Sequence, residues 1–545
     1  MLVALAATVV AASAASTWKS YRAAERRAKG TPAGRRAVPA LVAAGVLGLG
    51  AALAGGRLPQ DRNQGPDFIL IGLDAVRPDH LASFGYSRQV APNLERWVAS
   101  SWSWTRCYTP LARTYPSWTS LLTGRYPYEH GVRDDLPPPE RRDPRGESVV
   151  RRLRDEGWHT AFFTDDSRFS YMEVRQGWDE VHQPPPGAEN VVLSTYPLAY
   201  RFLFFFLNNR AGYQVFKILE GNQAFARSYR SGAFARDAAR RLVSLRQHPR
   251  FLAALHLCVA HSPRDTNWPY YNEFGMRGYR GVNRYRYRSA GVASRELASE
   301  GDAAGAVELD PELARQNLAL YDAGLKELDD QLGVLFDALE EADLLRRSVV
   351  VLWSDHGEEF AEPGMRYLYR GPNHGFHAWE EGQHRVLVAL RFPDGRGRGV
   401  REDGLARTLD VVPTVLDAWG VPPLAGATGR SLLGRLQPGG DPAPVPWVYG
   451  ETGLSKDNYW GPRHRRYPFR GLSSAYDVDR ETGAVFLRRD VYPQGLVPVK
   501  DRWVQTEEWK LARIAEDPAP RFELFHVPTD PANSRDRSGE HPEVV

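Results

Sequence analysis

Uncharged apolar runs and alternating polar stretches divide the chain into an N-terminal region and a large body. Val38 to Gly56 (VPALVAAGVLGLGAALAGG) carries no charge, and about 20 residues of helix cross the hydrocarbon core of a bilayer. The opening run, Leu2 to Ser16, is also uncharged but shorter; it fits a marginal first span, a signal-like leader or an interfacial helix. Lys19, Arg22, Arg26, Arg27, Lys29, Arg35 and Arg36 lie between the two runs, with Glu25 the acid among them. By the positive-inside rule this stretch is cytoplasmic, and everything after Gly56 faces the outer, periplasmic or extracellular side. Residues 1–56 are therefore expected to anchor the protein in a membrane through one or two transmembrane helices, at 2–16 and 38–56.

After a polar linker at 57–66, Phe68 to Leu73 reads as a buried strand that ends at Asp74. Asn317 to Leu345 has helical periodicity and leads into a second buried strand, Ser348 to Trp353, ending at Asp355 and His356. Helical and strand signals alternate as far as Leu436. This predicts an α/β main domain at 67–436, a mostly parallel sheet sandwiched by helices. Beyond the Pro/Gly-rich stretch Gln437 to Pro446 the segments shorten, predicting a small C-terminal antiparallel α+β subdomain at 437–545. Two insertions interrupt the main domain: Tyr196 to Tyr213, with an apolar aromatic run, and Tyr270 to Arg288, which is basic and aromatic. The second fits either a solvated surface loop or a grip on anionic polymer or lipid headgroups.

Composition narrows the partners. Of 545 residues, 42% are hydrophobic and 25% charged, and the net charge is only +4; with no nucleic-acid motif in the chain, nucleic acid is excluded as a partner. Cys107 and Cys258 sit in apolar stretches and read as buried free thiols.

Four stretches carry the chemistry: Asp74-Ala-Val-Arg77-Pro-Asp79-His80; Arg113 to Gly131, holding Thr114-Tyr-Pro-Ser-Trp118; Ser354-Asp355-His356-Gly357-Glu358-Glu359; and Asn373-His374-Gly-Phe-His377-Ala-Trp-Glu380-Glu381. Adjacent Asp and His at one strand end and Asp74 at another offer carboxylate and imidazole ligands to a hard or borderline cation. If Thr114 supplies its oxygen as a further ligand, the cation makes an otherwise poor nucleophile reactive. Glu358, Glu359, Glu380 and Glu381 read as solvated, and His377 and His130 as structural.

The ordered set resembles the alkaline phosphatase-like superfamily, in particular its sulfatase-domain branch, from about Asp67 to the C-terminus. Asp74 with Arg77-Pro-Asp79 and Ala91-Pro-Asn-Leu94 is similar to the family's opening. Thr114-Tyr-Pro-Ser with Leu121-Leu-Thr-Gly124 is similar to its nucleophile motif, Leu255 to Pro263 to its histidine-proline loop, and Asp355-His356 to its metal pair. The resemblance implies Thr114 as nucleophile, one divalent metal ion (Mn, Zn, Mg or Ca) held by Asp74, Thr114, Asp355 and His356, and His261 and His374 as catalytic groups that also bind substrate. It places Arg77 in substrate binding or in ordering the site through local bonds. Two departures matter. Threonine cannot yield the formylglycine aldehyde of sulfatases, so that cofactor is not expected; and Trp118 and Ala75 stand where the family has an arginine and a second acid. Threonine here looks like the phosphodiesterases and phosphoethanolamine transferases of the superfamily. The expected activity is hydrolysis or transfer of phosphate esters, on lipid or cell-envelope glycan, through a covalent phospho-enzyme. The alternatives are a sulfatase acting on sulfate esters and a catalytically inert membrane-bound binding protein.

Overall fold

The computed structural model describes residues 66–166, 176–183, 209–211, 231–261, 264–281, 284–287, 311–360, 374–436, 445–454, 465, 475–480, 485–492 and 495–545. Both N-terminal apolar runs, and all of the first insertion except 209–211, lie outside them. Among the described residues no helix is long and apolar enough to cross a membrane.

The main sheet contains β1 (Asp67–Leu73), β2 (Trp102–Tyr108), β3 (His159–Thr164), β4 (Glu180–His182), β5 (Phe251–Leu257), β6 (Ser348–Ser354), β7 (Arg385–Val386), β8 (Val388–Arg391) and β9 (Arg401–Arg407). Its order is β9-β2-β8-β6-β1-β5-β3-β4, with β7 paired to β2. Within it β1 pairs in parallel with β5 and β6, as do β3 with β4 and β5 and β2 with β9, whereas β8 runs antiparallel to β2 and β6. The sequence of β1, DFILIGL, is apolar at nearly every position because both faces are covered. Phe68 and Leu70 enter one core layer; Ile69, Ile71 and Leu73 enter the other, as the two-residue period of a strand requires.

Helices cover each face. On one side Tyr115, Trp118, Leu121 and Leu122 of α1 (Thr114–Thr123) pack with Val411, Val412, Val415 and Leu416 of α2 (Val411–Ala418). On the other, α3 (Ser231–Ser244) and the long α4 (Pro311–Glu341) contribute Phe234, Leu242, Leu320, Leu325, Leu328 and Leu332. Helix α4 starts earlier than periodicity suggests and stops before Leu345, where Asp343 adopts a left-handed backbone (φ 58°) and ends the run of helical hydrogen bonds. Part of the second insertion packs down: Tyr270–Phe274 is a short helix, and Tyr271 meets Tyr285, while Arg277 and Arg280 stay exposed.

The C-terminal region holds a four-stranded antiparallel sheet ordered β10 (Val448–Glu451), β11 (Arg502–Gln505), β12 (Trp509–Ile514), β13 (Arg521–His526). Its helical content among the described residues is one 3-10 turn, Val497–Val499. Val448, Trp503, Ala512, Ile514 and Phe525 belong to the same core cluster as Phe68 and Trp118, and residues Gly65–Val545 form one compact unit.

Candidate active site

The site grows from three adjacent strand ends. In the β1–β6 register Leu73 faces Ser354, so the next residues, Asp74 and Asp355, emerge side by side; in the β1–β5 register Gly72 faces His256. Asp74 donates its backbone N–H to Leu257 O (2.9 Å), and Asp355 donates its own to Leu73 O (3.3 Å). All three side chains are fully buried. Asp355 Oδ1 accepts the backbone N–H groups of His356 (2.8 Å) and Ala75 (3.3 Å). The second contact depends on Ala75 taking φ 59°, a left-handed conformation that costs a non-glycine residue on the order of 1 kcal/mol.

Hydrogen bonds at the far side of each ring set the histidine tautomers. His356 Nδ1 lies 2.8 Å from Gly357 O; a carbonyl only accepts, so Nδ1 carries the proton and Nε2 presents a lone pair. That Nε2 is 3.2 Å from Asp74 Oδ1 and 3.4 Å from Thr114 Oγ1. His256 Nδ1 lies 2.9 Å from Thr164 Oγ1, whose hydroxyl is directed at Asp166 O (3.3 Å), so His256 also turns Nε2 inward, 3.5 Å from Asp74 Oδ2 and 3.9 Å from Asp355 Oδ2. Burial pushes the His356 imidazole down to about 3 and, with the charge of Asp74, pushes the Asp355 carboxyl well above the usual range.

Thr114 begins α1, where the helix dipole favours negative charge; of the backbone N–H groups that follow, that of Tyr115 donates to Asp135 Oδ1 (3.3 Å) and that of Ser117 to Arg113 O (3.0 Å). Ser117, in the next turn, donates its hydroxyl to Asp355 O (2.6 Å) and so keys the helix to the end of β6. His374 stacks on His356 with ring centroids 4.0 Å apart, and His261 meets His374 edge-on at 4.8 Å. Asp74, Thr114, His261, Asp355, His356 and His374 therefore come together.

Arg77 is oriented differently. Its guanidinium is buried against Asp79 (Nε to Oδ1, 3.0 Å) and Glu358 O (3.2 Å), and its backbone N–H reaches Tyr321 OH; it braces the loop after His356. Glu358, Glu359 and Glu380 are not solvated as expected but buried, with Glu358 Oε1 3.5 Å from His374 Nδ1. Glu381 is partly exposed and accepts from Tyr108 and Lys510. His377 bonds Glu359 (2.7 Å) and His130 bonds Ser120 (3.0 Å), both away from the cluster. Cys107 and Cys258 are buried and form no disulfide with each other.

His256 had no role assigned from sequence. Its signal was a lone imidazole in the otherwise apolar β5, one residue from the carboxyl end where parallel sheets place ligand groups. Trp118, in the place of the family's arginine, forms the apolar wall behind it, with ring centroids 5.8 Å from His256 and 5.1 Å from Trp353. A methyl group on Gly72 would sit 2.2 Å from Trp118 Cζ2, so only glycine admits the indole.

The donor set suits a divalent cation. Two buried carboxylates and two inward lone pairs converge from separate strands, and the ligand atoms of Asp74, His256 and Asp355 lie within 4.8 Å of one another. A second group meeting the same criterion, His261, His356 and His374, shares His356 with this site.

Known proteins resemble this chain over much of its length. Arylsulfatase K of Gallus gallus is 25% identical over 235 residues, 42% of this chain and 35% of that protein; the match thus spans about a third of that relative. Among solved structures, the phosphonate monoester hydrolase of Agrobacterium radiobacter (TM-score 0.57, 16% identity) covers 88% of this chain and 93% of its own. A 2-O GAG sulfatase (TM-score 0.57, 15% identity) covers 88% and 89%. The sulfatase family profile matches residues 66–421, a span that includes every residue of the cluster, and the chain belongs to the sulfatase family of the alkaline phosphatase-like superfamily.

Proposed function

We propose that this protein is a metal-dependent hydrolase or transferase of phosphate esters with Thr114 as nucleophile. The observation that carries the reading is the position of Thr114 Oγ1, at a helix N-terminus and 3.4 Å from His356 Nε2, beside two buried aspartates. A divalent cation held by Asp74, His256, Asp355 and His356 would supply positive charge that favours the Thr114 alkoxide and screens the ester oxygens. Thr114 Oγ1 forms the bond to phosphorus as the ester bond breaks, and a proton from His261 or His374 leaves with the departing oxygen. Water or an acceptor alcohol then releases the phosphoryl group. The N-terminal runs support an outward-facing, membrane-anchored placement through residues 38–56, which protease accessibility in intact cells would check, and with it a lipid or cell-envelope glycan as the ester's carrier.

The test is turnover of nitrophenyl phosphate monoester, phosphate diester and sulfate ester by metal-loaded protein, with mass spectrometry for a phosphate adduct on Thr114. Thr114→Ala should lower phosphate-ester turnover on the order of 10³-fold or more. Sulfate preference would instead support the second reading, favoured by the arylsulfatase name of the relative from Gallus gallus.

A further inference from the structure

Thr114 and His374 both border His356 but come from distant parts of the chain, the first from the start of α1 and the second from a loop after β6. One side chain, that of Arg113, touches the surroundings of both. Arg113 stands just before α1 in extended backbone (φ −146°, ψ 138°), and its side chain is buried. Its Nη1 lies 3.6 Å from Asp135 Oδ2, and the other oxygen of that carboxylate accepts the Tyr115 N–H in the first turn of α1. Its guanidinium carbon lies 4.5 Å from the ring centroid of Phe376, two residues beyond His374. Its Nη2 donates to Leu454 O (3.0 Å), just after β10. The contacted segments are themselves joined: Gly453 N donates to Gly375 O (2.6 Å), and Leu454 N to Asp134 Oδ2 (2.5 Å). They close on the Arg113 arm because positions 375 and 453 lack side chains; a methyl group there would sit 2.7 Å and 2.6 Å, respectively, from Arg113 Nε.

We propose that Arg113 is a positioning residue for ester cleavage: one guanidinium fixes the start of α1, and with it Thr114 Oγ1, relative to the loop that carries His374, with the segment after β10 as the third anchor. The proposal rests on the reading of Thr114 as nucleophile. In an in-line displacement the attacking oxygen and the group that protonates the leaving oxygen lie on opposite sides of phosphorus, so their separation must be held. A misplacement of about 1 Å costs on the order of 100-fold in rate. Thr114 and His374 have no common secondary-structure element to hold them, and Arg113 supplies the link. The planar fork suits the task, since two of its nitrogens reach Asp135 and Leu454 O while its carbon lies over Phe376; a lysine ammonium is a compact point charge that cannot span all three. Arg113 acts on the reaction only through the groups it holds.

The experiment measures kcat and KM of the metal-loaded full chain on the nitrophenyl ester that the parent turns over fastest, for the parent, Thr114→Ala, Arg113→Lys, Phe376→Leu and the double variant Arg113→Lys/Phe376→Leu. Arg113→Lys keeps the positive charge, so its loss reports geometry rather than field. It should lower kcat about 10–100-fold while KM changes by less than about 3-fold, and its gain in urea stability on adding metal should equal the parent's. Phe376→Leu removes the ring under the guanidinium and leaves the Asp135 contact in place; it should lower kcat in the same manner, and it keeps the test open if Arg113→Lys folds poorly. Because both substitutions loosen one clamp, the double variant should lose little more than the larger single loss. Turnover that survives Thr114→Ala overturns the nucleophile reading and this proposal with it. Loss in Thr114→Ala beside a parent-like kcat in Arg113→Lys and Phe376→Leu overturns the positioning role alone, as do fully multiplicative losses in the double variant or a fall in kcat matched by a lost response to metal.

Discussion

Removing the imidazole of His256 tests whether the third strand end is part of the cation site. His256 contributes one of the three donors in the Asp74, His256 and Asp355 group and is fully buried. Mutating even the outer partners of metal ligands costs about 10–100-fold in affinity, so losing this ring should weaken binding of Mn or Zn at least that far, or by about 1.4–2.7 kcal/mol. A cation at 1,000 times its Kd stabilises the folded state by about 4.1 kcal/mol; 100-fold weaker binding leaves about 1.4 kcal/mol at the same concentration. Because truncating a buried side chain also opens a cavity worth roughly 2 kcal/mol or more, the quantity to compare is the gain in stability on adding metal. Thr164→Val supplies the control of similar shape: it removes the oxygen that fixes the His256 tautomer (2.9 Å) and should lose about 10-fold in affinity while leaving the ring in place. Urea unfolding with and without metal reads all three proteins. If His256→Ala and Thr164→Val gain as much from metal as the parent does, His256 is a packing residue and the three-strand site is wrong.

Three further outcomes are expected. Gly72→Ala should cost about 1–3 kcal/mol through overpacking, because its methyl would lie 2.2 Å from Trp118; an unchanged urea midpoint would contradict the packing described. Burial raises the Asp67 carboxyl to about 6 against the pull of Arg347. Since this folded-state value lies above the ordinary 3.8, the associated stability is present below about 3.8 and is lost as pH rises through about 6. Asp67→Asn, which does not titrate, should therefore gain roughly 2.4 kcal/mol relative to the parent between pH 4 and pH 7, and a difference independent of pH refutes the assignment. Glu358→Gln, beside His374 at 3.5 Å, should shift the pH profile of phosphate-ester turnover, with kcat falling more than KM changes; an unchanged profile would make Glu358 a purely structural residue.

The parallel sheet was readable because β1 and β6 are apolar on both faces and end in acids, a pattern with few alternatives. Asp74, Asp355 and His356 followed from it, since neighbouring parallel strands deliver their last residues to one edge. His256 escaped notice because one imidazole within FLAALHL resembles a core residue until the register puts it opposite Gly72. The burial of Glu358, Glu359 and Glu380 was equally hidden: a glutamate's surroundings depend on elements distant in sequence, such as His377 and Gln383 around Glu359. The Pro/Gly-rich stretch before Val448 resembled a boundary between bodies, yet the strands after it complete the main core, because the partners of Trp503 and Phe525 lie hundreds of residues earlier.

That shared core has a consequence for biosynthesis. Trp503, Ala512 and Phe525 are buried with residues from the first strands, while Lys510 Nζ and Asn533 Nδ2 both donate to Trp379 O, near the histidine loop. A chain emerging from the ribosome leaves Tyr108 and His384, which Trp503 packs against, and Val448, which pairs with Gln505, without these partners until β11 has been released. Final closure of the core and the bracing of the loop after His377 thus wait for the C-terminal sheet, and a nascent chain stalled before β11 should be a client for chaperones rather than a finished enzyme.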